Sequence, residues 1–197
     1  MARTITLSVS DNTFELMRKH PEINYSELAR QRINGYLASL SEKRVVSFDF
    51  LVLKDLIFAP EKIVEIHNRI EKNHKMMRTL SWVESVFDLD LFDSLSKFLH
   101  EFARVHPFED GNKRASFVCV DAFLRLNFMK LRINQSSKKT TDDEKFFWQN
   151  ANMQKPLDEI RIFLKKHVVE SRRPKSVEAA VFDSISENKI LLERLAL

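Results

Sequence analysis

With 197 residues and 44% hydrophobic content, the chain can bury a real core, and its length allows one or two domains. Two glycines and five prolines leave little material for tight hairpins, so a mainly helical fold is expected, while 32 Lys and Arg against 28 Asp and Glu, a net +4, permit a nucleic-acid partner without demanding one. The single Cys119, between Val118 and Val120, excludes an internal disulfide framework, and no segment nears the roughly 18 apolar residues of a membrane span, so a cytoplasmic setting with no membrane partner is expected.

In chain order, Arg3 to Val9 comes first. Polar Thr4, Thr6 and Ser8 alternate there with apolar Ile5, Leu7 and Val9, the period of a half-buried strand. Asp11 can cap a short helix carrying Phe14, Leu16 and Met17, which Pro21 ends by disfavouring helix at His20. Ser26, followed by Glu27, opens a second helix with Leu28, Ala29, Ile33, Tyr36 and Leu37 at helical spacing. A lone strand cannot satisfy its own backbone, so it must pair with another chain or dock elsewhere. Residues 2 to 40 resemble the ribbon-helix-helix DNA-binding domain, in which two chains intertwine and their paired strands enter the major groove. The resemblance implies a homodimer that binds duplex DNA. Thr4, Thr6 and Ser8 would face the bases, and Arg3 and the amides near Ser26 would touch phosphates. The alternative is a strand and two helices that only join subunits.

The polar junction Ser39 to Ser47 marks a boundary, giving a module over 1–42, a second domain over 48–170 and a C-terminal amphipathic helix over 171–197. In the second domain, "APEKIVEIHNRIEKNHKMM" starts a helix at Pro60, with Ile63, Ile66, His67 and Ile70 on one face. His67 is read as core. "DLDLFDSLSKFLHEFARV" sets Leu91, Phe92, Leu95, Phe98, Leu99 and Phe102 at helical spacing, and "RASFVCVDAFLRLNF" is apolar nearly all round, the mark of a central buried helix. Two further helices are expected near Asp142 to Asn152 and Leu157 to Val169.

Between those central helices lies "HPFEDGNKR", His106 to Arg114. A helix beginning at Gly111 offers free backbone amides to an anion, and glycine allows close approach. Lys113 and Arg114 add positive charge, and Asn112 adds an amide donor. Asp110 would be repelled by a bare phosphate, so it makes sense as a ligand of a Mg²⁺ that bridges to phosphate oxygens. His106, with a reference pKa near neutrality, can take the proton of an incoming hydroxyl, and Phe108 anchors the loop to the core. Together these are the parts for transfer from a nucleoside triphosphate to a hydroxyl.

The stretch resembles the signature loop of the Fic/Doc family: His-Pro-Phe-x-Asp/Glu-Gly-Asn-Gly-Arg-x-x-Arg in Fic enzymes, and His-x-Phe-x-x-Ala-Asn-Lys-Arg in death-on-curing (Doc) toxins. The likeness spans about residues 50 to 170. It implies an all-α domain with His106 as general base, Asp110 as Mg²⁺ ligand, and Gly111, Asn112 and Arg114 around the nucleotide phosphates. Lys113 stands where adenylyl-transferring Fic enzymes carry a second glycine, and Phe117 stands where they carry the final arginine. Both changes match the Doc subgroup, whereas Pro107 and Gly111 are Fic-like. The resemblance therefore implies phosphorylation from ATP by a toxin of toxin-antitoxin type, with a translation factor as protein substrate and an antitoxin as partner. The alternatives are a protein adenylyltransferase and a DNA-binding regulator whose Fic-like domain is inactive. Near the C-terminus, "DSISEN" approaches the inhibitory pattern Ser/Thr-x-x-x-Glu-Gly/Asn, but with Phe117 in the arginine position Glu187 lacks its usual partner, so a structural role is expected for it. Val177, Val181, Ile185, Leu191, Leu192 and Leu195 suit a helix packed on its own core or on a partner.

Overall fold

The computed structural model describes residues 11–19, Tyr25, 56–72, 75–87 and 90–196. The chain divides into two compact units, Met1–Phe48 and Asp49–Leu197. In the first, α1 runs over Asp11–Lys19, as the apolar spacing and Pro21 predict. The expected strand and second helix, with Arg3, Thr4, Thr6, Ser8 and Ser26, lie outside the described residues.

The second unit is helical, as expected. Its described helices are α2 (Pro60–Ile70), α3 (Leu91–Val105), α4 (Asn112–Leu126), α5 (Asp142–Ala151), α6 (Leu157–His167), α7 (Val177–Glu187) and α8 (Lys189–Leu195), with a 3₁₀ turn at Ser81–Val86. Each start has a local cause. Pro60 opens α2, where its missing N–H costs nothing. Asp90 accepts the Phe92 and Asp93 amides at the head of α3. Thr141 and Glu144 form a capping box on α5, and Ser176 accepts the Ala179 amide at the start of α7.

α4 is the axis. Every residue from Arg114 to Leu126 on it is buried, as its all-round apolarity predicts, and α2, α3, α5, α7 and α8 pack around it. A phenylalanine cluster fills the space beside it, with Phe58 4.5 Å from Phe87 and 4.6 Å from Phe98, edge-on to the latter. Cys119 is a free, fully buried thiol, and burial pushes its pKa well above the ordinary range.

α2 starts at Pro60 as expected and stops at Ile70, where its apolar period stops, and Met76 beyond it bridges Phe108 in antiparallel fashion. Two expectations need correction. Val168 and Val169 leave α6 for a short strand, β2 (Val168–Glu170), paired antiparallel with β1 (Met129–Leu131) in the register Lys130 to Val169. β-Branched valines favour that extended backbone. The single C-terminal helix is two, α7 and α8, joined at Asn188, whose Nδ2 donates to the Ser184 carbonyl at 2.9 Å.

The C-terminal pair is tied to the axis by charge. The Arg125 guanidinium donates two bonds to the Glu187 carboxylate, at 3.0 and 2.9 Å, and a third to Asp121 at 2.8 Å. Asp121, fully buried, also accepts the Leu131 amide at 2.7 Å. Glu187 therefore closes a network joining α4, β1 and α7, in keeping with the structural role expected of it.

Candidate active site at the joint of α3 and α4

His106 ends α3 as its C-cap, in the left-handed region at φ 49°, ψ 66°. Histidine is among the side chains that tolerate this backbone. Its Nδ1 lies 2.7 Å from the Ala103 carbonyl. A carbonyl only accepts, so Nδ1 carries the hydrogen and, in the neutral ring, Nε2 keeps the lone pair. The side chain is exposed. Hydrogen-bonded at one nitrogen and, among the described residues, without a partner at the other, it has an arrangement that suits a general base.

The loop that follows is stiff. The Asn112 carboxamide accepts the Phe108 amide at 3.0 Å and donates to the Phe108 carbonyl at 2.7 Å, so Asn112 closes the loop on itself. The Glu109 amide donates to the Lys75 carbonyl, and those of Met77 and Arg78 donate to the Pro107 carbonyl at 2.7 and 3.2 Å. Phe108, buried, stacks on the His67 ring at 3.8 Å, and is the anchor the sequence leads one to expect. His67 is core, as expected, but it also donates from Nε2 to the Asp110 carbonyl at 2.8 Å.

Gly111 is the N-cap of α4, at φ 74°. A Cβ there would stand 3.0 Å from His67 Nε2 and 3.2 Å from Glu71 Cβ. The glycine is thus demanded by its backbone and by packing against α2, rather than by room for an anion. No side chain caps α4, and helix geometry leaves the amides of Asn112, Lys113 and Arg114 without intrahelical acceptors. They stand at the positive end of the helix dipole, an arrangement that can receive an anion.

The charged side chains divide around it. The Asp110 side chain is 65% exposed and accepts the Gly111 amide through Oδ1. Among the described residues no three His, Cys, Asp or Glu gather to hold a metal ion. The exposed Asp110 carboxylate could still serve Mg²⁺, which binds through one or two carboxylates and completes its shell with phosphate oxygens and water. Arg114, 9% exposed, donates to Glu71 Oε2 at 2.5 Å and to the Ile70 carbonyl at 3.3 Å. The Lys113 ammonium stands 4.3 Å over the Trp148 ring. Burial lowers its pKa, the Asp110 charge opposing and the Arg114 charge adding to the shift.

A cleft opens beside His106, and Lys113, Ser116, Phe147 and Asn150 share its lining. Asn150, 4% exposed, donates through Nδ2 to the Leu99 carbonyl at 3.3 Å, while its Oδ1 is buried with no partner among the described residues. The donor side is committed, so the remaining atom can only accept. Such an orphan is costly unless a ligand supplies an N–H or O–H. Sequence reading passed over Asn150, Glu71 and Trp148. Asn150 did carry a signal, a polar residue three and four positions from Phe147 and Phe146 on the buried face of α5.

The second unit thus sets an exposed histidine at the end of one helix and free backbone amides at the uncapped start of the next. The family model of the Fic/DOC family matches residues 15–124, more than half of the chain, and the chain belongs to that family as a Fic-type transferase domain. The match begins at Glu15, inside the stretch that resembles a ribbon-helix-helix module. Comparison with curated proteins and with solved structures gave no match. Among the described residues no helix is long and apolar enough to cross a membrane.

Proposed function

We propose that this domain transfers the γ-phosphoryl group of ATP to a hydroxyl of a protein. The observation that carries the proposal is His106, hydrogen-bonded through Nδ1 to Ala103 at the edge of the uncapped start of α4. In the proposed reaction the amides of Asn112, Lys113 and Arg114 hold phosphate oxygens, and Arg114 supplies charge as the transition state spreads it. His106 Nε2 takes the proton of the attacking hydroxyl. The new bond joins that oxygen to the γ-phosphorus, the bond to the bridging oxygen breaks, and ADP leaves. Mg²⁺ beside Asp110 would neutralise phosphate charge.

Two features support γ- over α-phosphate transfer. Phe117 is fully buried, edge-on to Phe147 at 5.3 Å, so no cation stands where adenylyl-transferring relatives have their final arginine. Lys113 fills space that a glycine leaves open. The Asn150 acceptor suits a base bearing an exocyclic amine, as adenine does, and opposes one bearing an oxygen there. The test uses ATP labelled separately at the α and γ positions with a cell lysate. Label passing from γ supports the proposal, label from α makes the chain an adenylyltransferase, and none from either leaves a regulator with an inactive domain.

By resemblance to Doc, the reading extends to a toxin acting on a translation factor and restrained by an antitoxin. It also extends to a dimeric N-terminal module whose Thr4, Thr6 and Ser8 read duplex DNA. The support for that module is the alternation of residues 3–9 and the helix at Asp11–Lys19. A gel shift against random duplexes tests it: a dimer that retains none at low salt removes the DNA half.

A further inference from the structure

The donors of the Arg114 guanidinium are unevenly used. Nη2 goes to Glu71 and Nη1 to the Ile70 carbonyl, while Nε is buried with no partner among the described residues. Glu71 follows the last residue of α2, and its Oε1 accepts the Lys72 amide at 2.8 Å. Its Cβ lies against Gly111, 3.2 Å from where a Cβ there would stand. The Glu71 stem therefore packs against the residue that opens the anion nest, and its carboxylate sits on the guanidinium that shares that end of α4. The other carboxylate near Arg114, Asp110 at 3.9 Å, has a side chain 65% exposed and faces solvent; that of Glu71 is only 17% exposed. Water screens Asp110 far more than Glu71.

We propose that Glu71 is a rival anion for Arg114, which sets how tightly the nest holds polyphosphate and how fast the product diphosphate leaves. The inference rests on the nucleotide reading above. With the nest empty, Glu71 supplies the counter-charge without which a buried guanidinium is costly. With the nest filled, phosphate oxygens and the carboxylate share one cation and repel each other across a poorly screened space. Affinity is held down, and a product that would otherwise stay is let go. A merely structural ion pair also destabilises the fold when it is broken. The two roles differ in what happens to phosphate binding.

The experiment compares the full wild-type chain with Glu71→Gln and Glu71→Asp, by calorimetry with inorganic triphosphate, ATP, ADP and adenosine. Glu71→Gln removes the charge and keeps the shape; it should bind triphosphate and ATP about 5- to 10-fold more tightly, the gain expected from removing one partly screened charge. Adenosine affinity should be unaltered, and ADP should dissociate more slowly. Glu71→Asp keeps the charge but draws it back from Arg114, and should give a smaller gain of the same sign, so the idea remains testable if the glutamine variant does not fold. Triphosphate binding that is unaltered or weakened in these variants would reduce Glu71 to a prop and overturn the inference alone. If wild type and variants all bind neither triphosphate nor nucleotide, the proposed function falls and the inference falls with it.

Discussion

The backbone turns at His106. At φ 49° it closes α3 and swings its ring back to the Ala103 carbonyl, which selects the tautomer with a free Nε2. Asparagine also tolerates the left-handed region but cannot take a proton. His106→Asn should therefore lower γ-label transfer by about 10²- to 10⁴-fold while calorimetry finds ATP affinity nearly intact. At Gly111 the requirement is steric. With φ 74° and His67 Nε2 only 3.0 Å from an added Cβ, Gly111→Ala should destabilise the domain by about 1 to 3 kcal/mol, read as a fall of roughly 2 to 12 °C in Tm. Asn150 makes a prediction about specificity. ITP carries an oxygen where ATP carries an amine, so wild type should prefer ATP by about 10-fold or more, the scale of one buried hydrogen bond. Asn150→Leu should erase the preference, and equal ATP and ITP affinity in the wild type would remove Asn150 from the nucleotide site.

At the scale of elements, the bond between α4 and α7 has its own pH dependence. Hydrogen bonding to Arg125, followed by Lys130, lowers the Glu187 pKa from 4.5 to about 2. The folded-state value lies below the unfolded one, so the stabilisation is complete above about pH 4.5 and is lost as pH falls through about 2. The Glu187 side chain is 47% exposed, so solvent screening keeps the effect modest. Glu187→Gln should flatten the acid limb of a denaturation series over that window and leave neutral-pH transfer unchanged. A slope equal to that of the wild type would show that the pair contributes nothing. The helices that surround α4 were legible because their apolar residues recur at three and four positions: Leu95, Phe98, Leu99 and Phe102 on α3 are all buried. The β1–β2 ribbon was not legible. Strands of three residues are too short to show a period, and their pairing joins Met129 to Glu170 across a long stretch of chain. The break at Asn188 was equally hidden, because its cause is a side chain bonded to Ser184 and, at 3.4 Å, to Asp121 on another helix.

At the scale of the whole molecule, what could be read from the motif was which side chains stand together: His106, Phe108, Asp110, Lys113 and Arg114 lie close in the chain. What could not be read was how the surrounding elements share them out. Arg114 is engaged by Glu71 just past the end of α2, and Lys113 by Trp148 from α5; local sequence contains no term for either partner. The packing of α7 and α8 on α4 also sets an order in time. A chain leaves the ribosome N-terminus first, and its domains fold as units. α4, which carries the nest, is covered on one side by helices made long after it, and Arg125 waits for Glu187. A growing chain that already displays His106 to Arg114 still has the flank of α4 bare. Transfer activity should therefore be absent from chains stopped at Pro174 and present in those extended through Leu195, so that the producing cell meets the active form only once synthesis of that chain has passed α8.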